Sequence, residues 1–349
     1  MQTPIHPASA RNSRRFTSLS LVLALFAASM SGQTTITLNN AGQQSFAIDP
    51  VRHFLYAAQN DPSVHNLNVI NTLTDAVVGS TTYAGGFSAD IAASGTDVFW
   101  ADQGSSLVRV FNVNSSGVPS AGRTDAATLA TGLAALPTTY AVSKQGTGDF
   151  MDIRQISNGT TLFSVSLGGV AGQVFADANT NLYYARSSSA FKVIDASNGT
   201  VVRTLSGLVN AVDSSAAHNF VYFENGSTTQ ILTQLAGSTN AATGRTFDFG
   251  AGASITNVAI DRLTGNLWVS LQSQNRVVQL DSSLNLLQQF SVPNAEAIAF
   301  LDGQAFVHQA GSNFVSVIAV PEPSTWSLLG LGGLALLVVA GRRRSANAR

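Results

Sequence analysis

The sequence predicts an all-β protein, a β-propeller of seven four-stranded blades, followed by a single C-terminal transmembrane helix. Three observations carry the prediction. A unit of four short apolar runs recurs along the chain, and four strands in about forty residues is the period of a propeller blade. Clusters of Gly, Asn and Ser separate the runs, as turns separate short strands. A final uncharged apolar stretch ends on three arginines, the pattern of a membrane span with a cytoplasmic stop.

The repeat is clearest between residues 174 and 205. Val174-Phe-Ala-Asp177 is followed by Leu182-Tyr-Tyr-Ala-Arg186, Ala190-Phe-Lys-Val-Ile-Asp195 and Thr200-Val-Val-Arg-Thr-Leu205, with Asn198-Gly199 in the last turn. Asn-Gly favours a tight hairpin because both residues tolerate positive φ. The same order runs through Phe46–Asp49, Phe54–Ala57, Leu67–Ile70 and Asp75–Val78, and again through Asn257–Asp261, Leu267–Ser270, Arg276–Leu280 and Leu286–Phe290. Weaker copies begin near Ala89, Thr139 and Val212. The last copy has only three runs, Ala297–Phe300, Gln304–Val307 and Phe314–Ile318, and Thr34-Thr-Ile-Thr-Leu38 is available as its fourth strand. Closure by that strand would join the first and last blades and leave no open ring edge. Six or eight blades also fit the weaker copies, and the rival architecture is a two-sheet sandwich.

Composition narrows the function classes. Hydrophobic residues make up 45% of the 349 and charged residues 11%, which excludes a disordered chain, since disorder needs low hydrophobicity and high charge. Arg11, Arg14, Arg15, Arg342, Arg343, Arg344 and Arg349 lie outside residues 32–323; within them 11 basic residues face 19 acidic ones, a net charge of −8. An acidic domain argues against nucleic acid as a partner, which requires a basic face. There is no cysteine, so disulfides, thiolate chemistry and Cys-ligated zinc are excluded.

Both ends read as targeting segments. The basic region Arg11, Arg14 and Arg15 precedes the apolar stretch Phe16–Ala28, with small residues and a cleavage point near Ser29–Gly32; that order defines a secretory signal peptide, with a permanent N-terminal anchor as the rival. The C-terminus runs Val320-Pro321-Glu322-Pro323-Ser324-Thr325, then an apolar stretch from Trp326 to Ala340, then Arg342-Arg343-Arg344. The prolines keep their segment extended, Trp326 suits a membrane interface, and the arginines stay cytoplasmic. The expected organisation is a signal peptide over 1–32, a propeller over 33–319 and a sorting signal over 320–349.

Over residues 320–344 this three-part tail resembles the PEP-CTERM sorting signal. The resemblance implies an exosortase, a membrane protease, as processing partner, with Val320, Pro321, Glu322, Pro323 and Ser324 as the sorting motif and Arg342–Arg344 as the stop-transfer cluster. The rival is a plain anchor that is never cut. The clear blades also resemble the Tyr-Val-Thr-Asn repeat (YVTN/lactonase-like) propellers, in Leu55-Tyr56 with Asn68-Val69-Ile70-Asn71, and in Leu182-Tyr183 with Lys192-Val193-Ile194-Asp195. That likeness implies a propeller shape and a surface location rather than a reaction.

The search for a catalytic set is negative. His53, His65, His218 and His308 show no metal spacing and read as solvated loop residues. Asp49, Asp177, Asp213 and Asp261 end the first strand of their units, where a carboxylate accepts backbone N–H bonds in the next turn; the competing role is a ring of cation ligands. No Gly-x-Ser-x-Gly elbow or phosphate-binding glycine loop is present. Glu296 alone stands where a channel metal ligand would be. Asn114, Asn158, Asn198 and Asn225 match glycosylation acceptors but read as hairpin turns.

The expectation is therefore a non-enzymatic, exported surface or matrix propeller without a cofactor. It is anchored transiently in the inner membrane facing the periplasm, then cut by an exosortase for the cell surface or extracellular space, with extracellular polysaccharide of a biofilm as associate. The alternatives are a lactonase- or lyase-type propeller enzyme with a central metal, and a permanently tethered binding module.

Overall fold

A computed structural model describes residues 32–60, 65–83, 88–146, 148–188, 191–205, 220–224, 230–237, 239 and 241–320. The signal peptide, the span from Trp326, the prolines of the sorting motif, both arginine clusters, His218 and Asp213 lie outside them. No helix among the described residues is long and apolar enough to cross a membrane. The unit Thr34–Val317 is compact in itself and is built of strands.

Strand β1 is Gln33–Thr37. Blade 1 holds β2 (Gln43–Asp49), β3 (Phe54–Asn60), β4 (His65–Asn71) and β5 (Ala76–Tyr83); blade 2 holds β6 (Ser88–Ser94), β7 (Asp97–Asp102), β8 (Leu107–Val113) and β9 (Pro119–Ala126). Blade 3 comprises β10 (Ala130–Ala135), β11 (Thr139–Lys144), β12 (Phe150–Gln155) and β13 (Thr161–Ser166); blade 4 comprises β14 (Ala171–Asp177), β15 (Leu182–Ser187), β16 (Phe191–Asp195) and β17 (Val201–Leu205). Blade 5 shows β18 (Phe220–Glu224), β19 (Ile231–Ala236) and β20 (Ala241–Asp248), its expected first strand near Val212 lying outside the described residues. Blade 6 has β21 (Ile255–Ile260), β22 (Leu267–Leu271), β23 (Arg276–Leu280) and β24 (Leu286–Ser291), and blade 7 has β25 (Ala295–Leu301), β26 (Gln304–Gln309) and β27 (Phe314–Ala319).

Each blade is a meander, its first strand innermost in the six blades where that strand is described, and the described residues form seven sheets, six of four strands and one of three. The last sheet has the order β1-β27-β26-β25. The N-terminal strand thus supplies the fourth strand of the last blade, as the sequence predicts. The Leu38 N–H donates to Asn313 O at 2.7 Å and the Asn313 side chain donates to Leu38 O at 3.2 Å. The two-sheet sandwich is overturned.

The core lies between blades rather than within one. Blades 1 and 2 share Tyr56, Leu67 and Val69 with Trp100 and Phe111. Blades 2 and 3 share Phe99 and Val108 with Tyr140 and Val142. Met151 and Ile153 of blade 3 pack on Tyr183 and Ile194 of blade 4, Tyr184 and Val193 on Leu235, and Leu232 on Leu267 and Val269. Trp268 stacks on Phe300 at 5.7 Å between blades 6 and 7, and Phe306, Val315 and Val317 pack on Leu55 and Ile70 of blade 1. The contacts close a ring. A middle strand is covered on both faces, which is why Leu55-Tyr56-Ala57 and Leu267-Trp268-Val269 are continuous apolar runs; an outer strand such as β5 alternates instead.

Two details differ from the sequence expectation. The third unit starts at Ala130 rather than near Thr139: Ala-Thr-Gly-Leu-Ala-Ala lacks the β-branched and aromatic residues that mark strands, because an innermost strand sits at the crowded axis. His65 and His308 are not solvated loop residues; they lie in middle strands β4 and β26 with no exposure. His53 does occupy a turn, with φ 59°, and its Nδ1 lies 2.8 Å from the Asp302 carboxylate of blade 7.

Candidate functional site: the channel and the closing strand

The three described members of the repeated aspartates, Asp49, Asp177 and Asp261, take their structural role. Asp49 accepts from the N–H groups of Val51 and Arg52 at 3.0 Å each, Asp177 from Asn179 at 2.9 Å, and Asp261 from Leu263 at 2.9 Å. Each carboxylate holds the turn that follows its strand. Asp49 does more: it pairs with Arg52, whose guanidinium also donates to Val113 O, Gly95 O and the Tyr56 hydroxyl, so one arginine ties blade 1 to blade 2. Arg123 repeats the device with Asp125 (3.0 Å), reaching Ile156 O of blade 3, while the Tyr140 hydroxyl donates to Asp125 at 2.6 Å. These clamps carry no linear sequence signal, because their partners lie up to 61 positions apart.

Two glycosylation-like Asn-Gly-Thr triplets are hairpin turns. Asn158 and Asn198 accept from Thr160 and Thr200, and Gly159 and Gly199 have φ 72°. A Cβ on Gly159 would collide with the Asp125 carboxylate of blade 2, and one on Gly199 with Phe163 of blade 3. These turns therefore require glycine for backbone conformation and for blade packing.

The innermost strands of the six blades in which one is described enclose a cavity of about 480 Å³ along the axis. Strands β6, β10, β14, β21 and β25 each carry a register shift at the same place, near the start of the strand. Such a bulge inserts one residue and re-aims the side chains beside it. Asp90, Gln173, Thr256 and Glu296 all sit in these bulges, all line the cavity, and all keep partial exposure to it. The bulges thus collect polar side chains on a wall otherwise made mostly of Ala, Ile, Val and Phe, with Ser45, Asn257 and Arg262 as its other polar members.

The polar groups are held from behind. Asp90 accepts from its neighbour Ile91 N–H at 2.9 Å and from Leu133 N–H of the next blade at 3.0 Å; burial still pushes its carboxyl up to about 7. The Thr256 hydroxyl lies 2.9 Å from the Ser270 hydroxyl, and both donate to Glu296 O. The Glu296 carboxylate lies 3.0 Å from His308 Nδ1. His308 Nε2 lies 3.1 Å from Ser312 O, a carbonyl that only accepts, so Nε2 carries a proton. Gln173 Oε1 is buried with no hydrogen-bond partner among the described residues. Among the described residues no three His, Cys, Asp or Glu side chains converge to hold a metal ion.

Of the predicted sorting residues, Val320 is described: it directly follows β27, half-buried. Ala319 N–H donates to Gly32 O at 3.4 Å. Pro321, Glu322, Pro323, Ser324, Arg342–Arg344, Arg11, Arg14 and Arg15 lie outside the described residues.

A family model for the PEP-CTERM protein-sorting motif matches residues 319–344. The chain therefore carries that motif, which implies an exported protein processed by an exosortase. Among solved structures it is similar to a chain of a mitotic checkpoint complex (TM-score 0.68, 11% identity, covering 83% of this chain and 94% of that one). It is also similar to the Myceliophteria thermophila Cps50 (Swd1) β-propeller domain (TM-score 0.66, 12% identity, covering 82% and 99%). At such identities these establish the propeller fold alone. No curated protein matches.

Proposed function

We propose that this chain is a non-enzymatic propeller of the bacterial envelope, held at the inner membrane facing the periplasm until an exosortase cuts near Pro321-Glu322-Pro323 and releases it to the cell surface or matrix, where it associates with exopolysaccharide. One observation carries the reading: the last strand of the ring ends at Ala319, and the sorting motif begins there. The motif is joined to the domain without a linker, so the whole propeller is the cargo. The domain's surface, rich in Ser, Thr, Asn and Gln and poor in charge, is compatible with hydrogen bonding to sugars. Intact mass of the protein from membranes and from culture supernatant tests it. A released species ending near Pro323 supports the proposal; a sole membrane-bound species keeping Arg342–Arg344 reduces it to a tethered module.

An enzyme of the lactonase or lyase type is a second reading, favoured by the Glu296 carboxylate held 3.0 Å from His308 Nδ1 beside the channel. It requires a hydrolysed or eliminated substrate, and turnover by the purified protein that Glu296→Gln abolishes would replace the first reading with it.

A further inference from the structure

We infer that, while anchored, the propeller rests on the membrane through one end of its ring, with the apolar turn residues Val51, Leu73 and Leu263 inserted into the lipid surface. The inference rests on the anchored stage of the reading above and gives it a face, the residues and a partner chemistry.

Strand direction fixes the end. Strand β27 follows its neighbour β26 through the short connection 310–313, so it runs antiparallel to β26, toward the end of the ring that bears the Asp302–Gly303 turn. The turns of the flanking blades lie at the same end. In blade 1, His53 of the β2–β3 turn and Thr72 of the β4–β5 turn both bond to the Asp302 carboxylate. In blade 6, the Thr256 hydroxyl near the start of β21 donates to Ala295 O and Glu296 O at the start of β25, at 3.1 and 3.2 Å. The two inner strands therefore run the same way, and the β21–β22 turn lies at the Asp302 end. At most about 25 Å of fully extended chain separates Ala319 from Trp326, where the apolar stretch begins. The strands themselves are about 20 Å long, so a reversed ring would spend nearly all of that tether along its own side. The end that bears these turns is the one that faces the bilayer.

The side chains at that end are the second observation. Leu263 (87% exposed), Val51 (86%) and Leu73 (62%) are the three most exposed large apolar side chains among the described residues. All three sit in turns at this end, in the two blades that flank blade 7. Their turns do not require them. Val51 and Leu263 each stand two residues after an aspartate that accepts their N–H, and in blade 4 the same turn after Asp177 carries Asn179. Leu73 donates in the same way to the Asn71 side chain, and the matching residues of blades 4 and 6 are Ser197 and Ser283. One turn geometry thus works with a polar residue, the usual choice in turns, so the fold gains nothing from the aliphatic ones gathered beside the chain's exit. A lipid surface does, because insertion removes their area from water. With 11 basic residues against 19 acidic ones over residues 32–323, the domain has no net attraction to anionic lipid, and apolar burial holds the contact.

The chain has no cysteine, so single-cysteine variants of the full chain, held in nanodiscs of phosphatidylethanolamine and phosphatidylglycerol, can each carry one nitrobenzoxadiazole label whose quenching by doxyl-labelled lipid is read. The expected result is quenching at Val51→Cys, Leu73→Cys, Leu263→Cys and the neighbouring Thr74→Cys, equal at low and high salt, and none at Val170→Cys in the β13–β14 connection at the opposite end. Adding Val51→Asn, Leu73→Ser and Leu263→Asn to Thr74→Cys should lower its quenching about tenfold, as the buried apolar area is lost, with an unchanged thermal midpoint as the check on folding. A label at Leu334→Cys, in the apolar stretch, reports anchoring. Quenching there but not at the turns, or equal quenching at Val170→Cys, overturns the docking while the anchored stage stands. No quenching at Leu334→Cys overturns the anchored stage and the docking with it. Quenching at Thr74→Cys that survives the three polar substitutions also overturns the inference, since the tether alone then holds the face down. Turn labels that lipid leaves unquenched, but that added exosortase shields from a soluble quencher, overturn it in favour of the protease as partner.

Discussion

Gly159 sits at φ 72° in the turn between β12 and β13, against the Asp125 carboxylate of the preceding blade. Gly303 has nearly the same φ, 74°, with nothing within 4 Å of a built Cβ. Alanine at Gly303 pays only left-handed strain, about 1 kcal/mol, whereas Gly159→Ala must also displace the Arg123–Asp125–Tyr140 clamp. It should destabilise by roughly 2–4 kcal/mol, read as a larger loss of denaturant midpoint than Gly303→Ala. Asp90 makes the second residue-scale prediction. Its folded pKa, about 7, is raised by burial above the ordinary carboxylate value of 3.8, so the folded state holds the proton more tightly than the unfolded chain. That contribution is complete below the ordinary value and is lost as pH rises through about 7. Stability should fall across this window, and Asp90→Asn should flatten the slope in melts taken at pH 4 to 8.

At the scale of elements, the propeller depends on joints between sheets. Arg52 meets Asp49, Tyr56 and two carbonyls of blade 2, while the Asp49 side chain is only 7% exposed. Arg52→Met strands that carboxylate, and the loss should be about 3 kcal/mol, as when one partner of a buried pair is removed. Strand β1 is the other joint. Of its five residues only Ile36 is buried, and Ile36 packs with Val315 and Val317 of β27 and Leu55 of blade 1. Ile36→Ala should cost about 2 kcal/mol and raise amide exchange selectively along β27, the strand it would uncover. Uniform exchange throughout the domain would instead make β1 part of the cooperative ring.

At the scale of the whole molecule, folding and sorting use adjoining but separate stretches of chain. The described strands end at Ala319, and the prolines follow at 321 and 323. The double substitution Pro321→Ala with Pro323→Ala should leave the thermal midpoint of the domain within about 1 °C, since the last strand of the ring already ends at Ala319. It should abolish appearance of the protein in the culture supernatant. A drop in midpoint would show that the tail contributes to the ring.

How much of this was legible in the sequence divides along a physical line. Turn chemistry and binary patterning are local: Asn-Gly turns, the Asp that ends a first strand and the continuous apolar middle strands such as Leu182–Ala185 state the blade directly. The sorting tail, whose signal is linear, was legible in the same way. The third blade's first strand was not, because small residues at the axis carry no strand signature. By itself the sequence determined that the chain is an exported all-β repeat protein bearing a C-terminal sorting motif. Only the tertiary structure decided that His65 and His308 are buried, that arginines staple successive blades, and that bulges gather Asp90, Gln173, Thr256 and Glu296 around one axis. Those relations join residues brought together solely by closing the ring, and no periodicity along the chain encodes which side chains meet across it.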